Sequence, residues 1–273
     1  MTDAHIHIGR NGGRRLAEPY DGSIRALLRG YAGLGITGLR DAGDDLMLGG
    51  MARDIAVEHG IKLETPLAAL SHSGGYGDFL GKGVSSEREI IEVMRELFRQ
   101  KPDFVKIIQS GIVSFDNFGE VSQGGFEREL YGVILKIARD NGLKTMVHVN
   151  GADNIMRALE FGADSIEHGY FISVRELHFM AERGVIWVPT LAPLSNYLSH
   201  SSNDSLQRKV ISKTISGHIS SIKRAVELGV KVKIGSDAGA AYVPHGQGTL
   251  DEMCLFEDAV LHGNDGADYF MNF

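Results

Sequence analysis

Among its 273 residues the chain has one cysteine, one tryptophan and six prolines. The lone Cys254 has no internal partner for a disulfide, which fits a reducing cytoplasm. The prolines are scattered, so no proline-rich linker is present. No stretch approaches the eighteen or so consecutive apolar residues of a membrane span. The N-terminus, MTDAHIHIGR, lacks the basic-then-apolar pattern of a secretory signal. A basic surplus is missing as well: 28 Lys and Arg stand against 35 Asp and Glu, for a net charge of -7. That balance, with no interleaving of basic and aromatic residues, disfavours nucleic acid as a partner. Low-complexity tracts and charge runs are absent, and the nearest approach to a linker is SHSSND at 199–204, which reads as a loop. What remains is a composition 43% hydrophobic, enough to bury a sizeable core, and 35 glycines whose placement is informative.

A short apolar run, a polar or glycine-rich stretch and an amphipathic helical segment recur along the chain. The runs predict strands at Asp3–His7, Gly35–Asp41, Pro66–Ser71, Phe104–Gln109, Thr145–His148, Ser165–His168, Val185–Pro189 and Val230–Ser236. Helices are predicted at Ser23–Leu34, Leu46–His59, Glu87–Gln100, Glu127–Asn141, Ala152–Phe161, Val174–Arg183, Ser205–Leu228 and Leu250–His262. Several end where glycine supplies a left-handed C-cap, as at Gly60 and Gly184. Eight alternating units predict an α/β fold, a (β/α)8 TIM-like barrel of parallel strands occupying residues 1–273 as a single domain. The open doubly wound alternative wants a G-x-G-x-x-G turn after an early strand, and none is found. The glycine-rich Gly74–Lys82 is no phosphate loop, since Tyr76 stands where its first glycine belongs.

In such a barrel the chemistry lies at the C-terminal ends of the strands. His5 and His7 share a face of the first strand, because strand side chains alternate, and two imidazoles converging from one strand end can bind a divalent metal. On its own the H-x-H pattern is more often incidental. Lys106 is a lone cation in an apolar strand, where lysine is seldom buried unpartnered. His148 and His168 end the fifth and sixth strands, and Asp237 ends the eighth. Each alone has a bland explanation, a core histidine or an Asx turn; together on one rim they ask for a common one. His59, His178, His218 and His262 fall in helices, where a solvated or capping role is the default, and His200 falls in a loop. His245, in a glycine-rich loop, and His72, after the third strand, are within reach of a substrate.

This ordered set resembles the metal ligands of the amidohydrolase superfamily. The local text VKIIQSG, HVNGADN, SIEHG, VPT and GSDAG, together with SHSGGYGD, is similar to the prolidase-like dipeptidase and imidazolonepropionase-related branch. The resemblance implies two divalent metal ions, usually zinc. His5, His7 and Asp237 hold one, His148 and His168 hold the other, and Lys106, carboxylated by carbon dioxide, bridges them. It further implies hydrolysis of an amide bond, in a dipeptide or an N-acyl amino acid, by water activated between the metals, with Asp237 as general base and then acid. Loop residues His72, Tyr76, Tyr170 and Thr190 are the candidates for contact with the small-molecule substrate. Deamination on this scaffold uses a glutamate soon after the fifth-strand histidine, and His148–Asp153 contains none.

Relatives usually carry a small β-sandwich built from both chain ends. This chain starts two residues before Asp3 and leaves little after Asp237, so the expectation is a barrel lacking the sandwich, with self-association a means of covering its exposed end. Two loops also depart from the usual text: Val149-Asn150-Gly151 follows His148, and Tyr76 replaces a histidine. The alternatives left open are ring-opening of a cyclic amide and, from a different class, a non-catalytic metal-binding barrel.

Overall fold

The computed structural model describes residues 1–200 and 205–261. Its strands, in chain order, are β1 Thr2–Ile6, β2 Arg10–Asn11, β3 Arg14–Arg15, β4 Gly38–Asp41, β5 Lys62–Glu64, β6 Ala69–His72, β7 Gly81–Val84, β8 Val105–Ile108, β9 Thr145–Val149, β10 Ser165–His168, β11 Ile186–Val188 and β12 Lys231–Val232. The helices are α1 Tyr20–Gly33, α2 Gly49–Ala56, α3 Glu87–Arg99, α4 Arg128–Asp140, α5 Ala152–Glu160, α6 Val174–Arg183, α7 Ala192–His200, α8 Ser205–Glu227 and α9 Gln247–Leu261.

Two parallel arcs make the barrel. One runs β1-β4-β5 and the other β12-β11-β10-β9-β8-β6-β7. They meet where Ala4 N–H donates to Ile234 O (2.8 Å) and Asp237 N–H to His5 O (2.8 Å). On the other side Asp44 N–H donates to Leu67 O (3.3 Å). The strand expected at Pro66–Ser71 is found as β6, starting three residues later, and a short strand that was not expected, β5, precedes it. Pro66 has no N–H to give a ladder and Leu67 sits at φ 70°, so β5 pairs with β4 before the break and β6 with β8 after it. The last strand, expected at Val230–Ser236, keeps a regular ladder over Lys231–Val232 alone; beyond it single bonds to Trp187 and Ala4 guide the backbone.

Helices flank the sheet because their apolar stripes need cover. In α3 the residues Ile90, Met94 and Leu97 recur at helical spacing and are buried, while the remaining face is charged. A capping box of Ser173 and Glu176 starts α6, and Gly184, left-handed at φ 67°, ends it; both boundaries are as expected from sequence. Helix α7, strands β5 and β7 and the β2–β3 hairpin are not expected from the sequence reading. Ser199 and His200, expected in a loop, close α7 instead, because Asn196 and Ser195 carbonyls remain available to accept from their side chains. The rest of that expected loop, 201–204, and the expected helix end His262 lie outside the described residues. No helix among the described residues is long and apolar enough to cross a membrane.

Candidate metal centre

Strand alternation decides which side chains meet inside the barrel. In β8, Val105 and Ile107 face the helices and belong to the main core, so Lys106 faces inward. In β9, Val147 and Val149 do the same and turn His148 inward. Ile6 packs in the second core cluster, leaving His5 and then His7 on the inner face. In β10 Ile166 faces the helices and Glu167 the interior. Alternation alone would turn His168 away. Its backbone is left-handed at φ 64°, which brings the imidazole to the mouth beside His148, ring centroids 4.5 Å apart. Thr190 (φ 53°) and Asp237 (φ 59°) share this conformation at their own strand ends. Each costs about 1 kcal/mol or more, a strain typical of functional sites.

Six side chains expected to act together therefore line one cavity of about 530 Å³: His5, His7, Lys106, His148, His168 and Asp237. Ligand-type atoms of His5, His7 and Asp237 lie within 4.8 Å of one another. Asp237 Oδ1 is 3.2 Å from His7 Nε2 and 3.8 Å from His5 Nε2. The His5 and His168 rings are 5.0 Å apart, joining the two halves of the cluster.

Each imidazole has one nitrogen engaged from behind. His5 Nδ1 lies 2.6 Å from Glu167 Oε2, and His7 Nδ1 lies 3.1 Å from Gly43 O. His148 Nε2 is 3.3 Å from Gly111 O, and His168 Nδ1 is 2.7 Å from Thr190 Oγ1. The other nitrogen of His7 faces Asp237 Oδ1, and that of His5 has no hydrogen-bond partner among the described residues, as in histidines whose tautomer is fixed for a metal. His5 Nε2 and Lys106 Nζ are fully buried and have no hydrogen-bond partner among the described residues. A buried amine and a buried imidazole nitrogen left so would be costly. A group between them that accepts lone pairs, with a carboxylate on the lysine, would satisfy both, so the donor set fits divalent ions.

The electrostatics agree with neutral imidazoles at His5, His148 and His168. Burial and then the Lys106 charge push His5 and His148 down, His148 to about 3. Burial and the neighbouring histidines push His168 well below the usual range. Burial would raise Glu167, but its bond to His5, with Lys106 and Arg40 nearby, holds it at about 2. Asp237 is likewise opposed by burial and drawn below its ordinary value by His7 and His5. Burial lowers Lys106 to about 8.

The four expected substrate contacts divide. Tyr76, Tyr170 and Thr190 line the cavity, but Tyr170 and Thr190 also have structural partners. The Tyr170 hydroxyl donates to Thr190 O (3.0 Å), while the Thr190 hydroxyl holds His168. His72 is a correction: it does not line the cavity, because its ring faces Phe126 and its Nδ1 lies 3.1 Å from Ser73 O. His245 does not line it either, with Nδ1 2.8 Å from the Tyr31 hydroxyl and Nε2 2.7 Å from Arg10 O. His218 is neither solvated nor a cap. It lies buried under Tyr170, stacked at 4.0 Å, with Nε2 on Pro189 O at 2.9 Å. Glu167 was given no role from sequence, although an acid inside an apolar strand is the same kind of signal as Lys106.

The sequence model of the amidohydrolase family matches residues 1–266. The chain belongs to the amidohydrolase family. It is 26% identical over 199 residues to ochratoxinase of Aspergillus niger, a match covering 62% of this chain and 41% of that protein. The chain thus spans well under half the length of this curated relative. The crystal structure of A. niger ochratoxinase superposes with a TM-score of 0.81 at 18% identity, over 98% of this chain and 68% of that one. A Xaa-Pro dipeptidase with methionine bound in its active site gives 0.74 at 21% identity, over 98% and 72%. At these identities the likeness establishes the shared amidohydrolase barrel.

His218 provides a test of the packing behind the site. Burial lowers it to about 4, and its Nδ1 has no partner among the described residues. A base depressed in the folded state takes up its proton first when unfolded, so stability is lost as pH falls from about 6.5 towards about 4. The shift is worth about 3 kcal/mol for this residue. Unfolding midpoints of metal-free protein should fall across that window, and His218→Phe should flatten the slope by close to one proton. Equal slopes would remove His218 from the acid response.

Proposed function

We propose that this protein is a metal-dependent amidohydrolase that cleaves the amide bond of an N-acyl amino acid or dipeptide. His5, His7 and Asp237 would hold one divalent ion, His148 and His168 a second, and carboxylated Lys106 would bridge them, with zinc the expected metal. The observation that carries this reading is the pairing of four imidazoles, each fixed from behind, with a fully buried Lys106 Nζ that has no partner among the described residues.

Divalent ions at such a site polarise a carbonyl oxygen and make water a nucleophile at neutral pH. The chain supplies the rest. With its pKa lowered to about 8, Lys106 is about one-tenth neutral at pH 7, far more than an ordinary lysine, and only the neutral amine reacts with carbon dioxide. Ionised Asp237 accepts a proton from the attacking water at its carboxylate and returns it to the leaving nitrogen. Glu167 keeps His5 in the tautomer that leaves Nε2 free. Tyr76 and the apolar cavity wall exclude bulk water around the reacting amide.

The experiment is a screen of N-acyl amino acids, dipeptides and cyclic amides with zinc and bicarbonate. Turnover of an open-chain amide, lost with a chelator and restored by zinc, is expected. Folded, metal-loaded protein that turns over none of them would contradict the proposal, and exclusive cleavage of cyclic amides would replace it by ring-opening.

A further inference from the structure

The turn between β11 and α7 has little of its own to hold it. Thr190 is β-branched and sits at φ 53°, a conformation such residues seldom adopt. Leu191 offers no side-chain oxygen to the start of α7, and Pro193 has no N–H. Three buried side chains from elsewhere in the chain grip the backbone instead. His218 Nε2, on α8, lies 2.9 Å from Pro189 O. The Tyr170 hydroxyl, beyond β10, donates to Thr190 O at 3.0 Å. Glu252 Oε2, on α9, accepts from Ala192 N–H at 2.7 Å. Trp187 fixes the neighbouring turn, its indole N–H donating to His168 O at 2.9 Å.

Glu252 is the costliest of these. It is fully buried, and its Oε1 has no hydrogen-bond partner among the described residues. Burial raises it to about 8 against the pull of the Leu191 and Ala192 N–H groups, so at neutral pH it is mostly the uncharged acid. An acid in such a place costs more than an apolar residue of similar size if packing is all that it serves.

What it holds reaches the candidate metal centre. Thr190 Oγ1 lies 2.7 Å from His168 Nδ1. With the Thr190 carbonyl tied on one side and Ala192 N–H on the other, the turn cannot relax to negative φ without breaking a buried hydrogen bond. The hydroxyl therefore stays on the imidazole.

We propose that Glu252, acting with Tyr170 and His218, is a positioning residue: it clamps the Thr190 turn so that the Thr190 hydroxyl accepts from His168 Nδ1–H and His168 Nε2 is kept free for a divalent ion. The ion's part in this rests on the hydrolase reading; the clamp on the imidazole does not.

The test reads the imidazole first and the metal second, and neither readout needs turnover. Long-range proton–nitrogen spectra of metal-free, full-length protein carrying isotope-labelled histidine report the tautomer of each ring, with His168→Asn assigning the signal. Wild type should show His168 as the Nδ1–H tautomer. Glu252→Leu and Tyr170→Phe should each bring in a comparable population of the Nε2–H form. Glu252→Gln keeps an acceptor oxygen for Ala192 and should match wild type. So should Asp251→Asn, whose carboxylate meets α7 only at Asn196 (3.3 Å). Tyr170→Phe removes a single hydroxyl and carries the test should Glu252→Leu fail to fold. Titration with cobalt(II) in bicarbonate should then show two binding steps in wild type. In Glu252→Leu and Tyr170→Phe one step should weaken about tenfold, the low end for loss of a group behind a metal ligand, and the other should stay within about threefold. Wild-type tautomer and wild-type titration in both folded variants would overturn the proposal, and a Glu252→Gln variant that behaves like Glu252→Leu would overturn the uncharged acceptor. A tautomer shift in protein that binds no cobalt would uphold the clamp and refute the metal reading alone.

Discussion

Replacing Lys106 by alanine should lower amide hydrolysis by about 10³-fold or more, because electrostatic help worth several kcal/mol is lost at about 1.4 kcal/mol per factor of ten. The reasoning starts from burial. Lys106 is 1% exposed on the inner face of β8, and its Nζ has no hydrogen-bond partner among the described residues. A lysine kept there only for packing would be better replaced by an apolar residue. A carboxylated lysine is a carboxylate on a long arm, and alanine leaves room where that arm was. Acetate or propionate added to Lys106→Ala should therefore restore part of the lost activity in a concentration-dependent way, while Lys106→Met, which fills the space, should not respond. Rescue of neither variant, with both folded, would argue that the lysine acts as an amine. Wild-type-like turnover in either would remove it from the site.

Asp237→Asn should cost about 10²- to 10⁴-fold in kcat, the usual range for a group that moves a proton in the transition state. Asn is nearly isosteric and can still present an oxygen towards His7 and His5, so the strained backbone at φ 59° should persist. What it cannot do is take the proton. The acidic limb of the pH profile is expected to disappear in the variant, since the carboxylate held low by His7 and His5 defines it. The control is the metal content: turnover near that of wild type with metals still bound would end the proton-transfer role. Loss of metal together with activity would assign Asp237 to holding the ion first.

The contrast between these two residues also explains what the sequence reveals. Lys106 and His148 obey simple alternation on regular strands, and His5 and His7 keep it although β1 has a register shift between Asp3 and Ile6 and ends one residue before His7, so their meeting inside the barrel is legible from spacing once the strands are placed. His168 and Asp237 are legible as strand ends, but the left-handed turns that aim them are not, because the enrichment of histidine and aspartate at positive φ is too weak to mark individual positions. The supporting residues are hidden for a different reason. Glu167 and His5 are 162 positions apart, and Tyr31 and His245 are 214 apart, so only the closed barrel brings them together. His72 misled because being at the end of β6 does not decide which way its ring turns; a nearby carbonyl and Phe126 do. The break between β5 and β6 at Pro66 is a local effect that the residue itself signals, whereas helix α7 has an apolar pattern too weak to separate from a loop.

Metal analysis tests the central claim most directly. Full-length protein reconstituted with zinc and bicarbonate, then desalted, should retain about two ions per chain, and Lys106→Ala handled in the same way should retain distinctly fewer. Folded wild-type protein that keeps no ion after exposure to excess zinc would contradict the account.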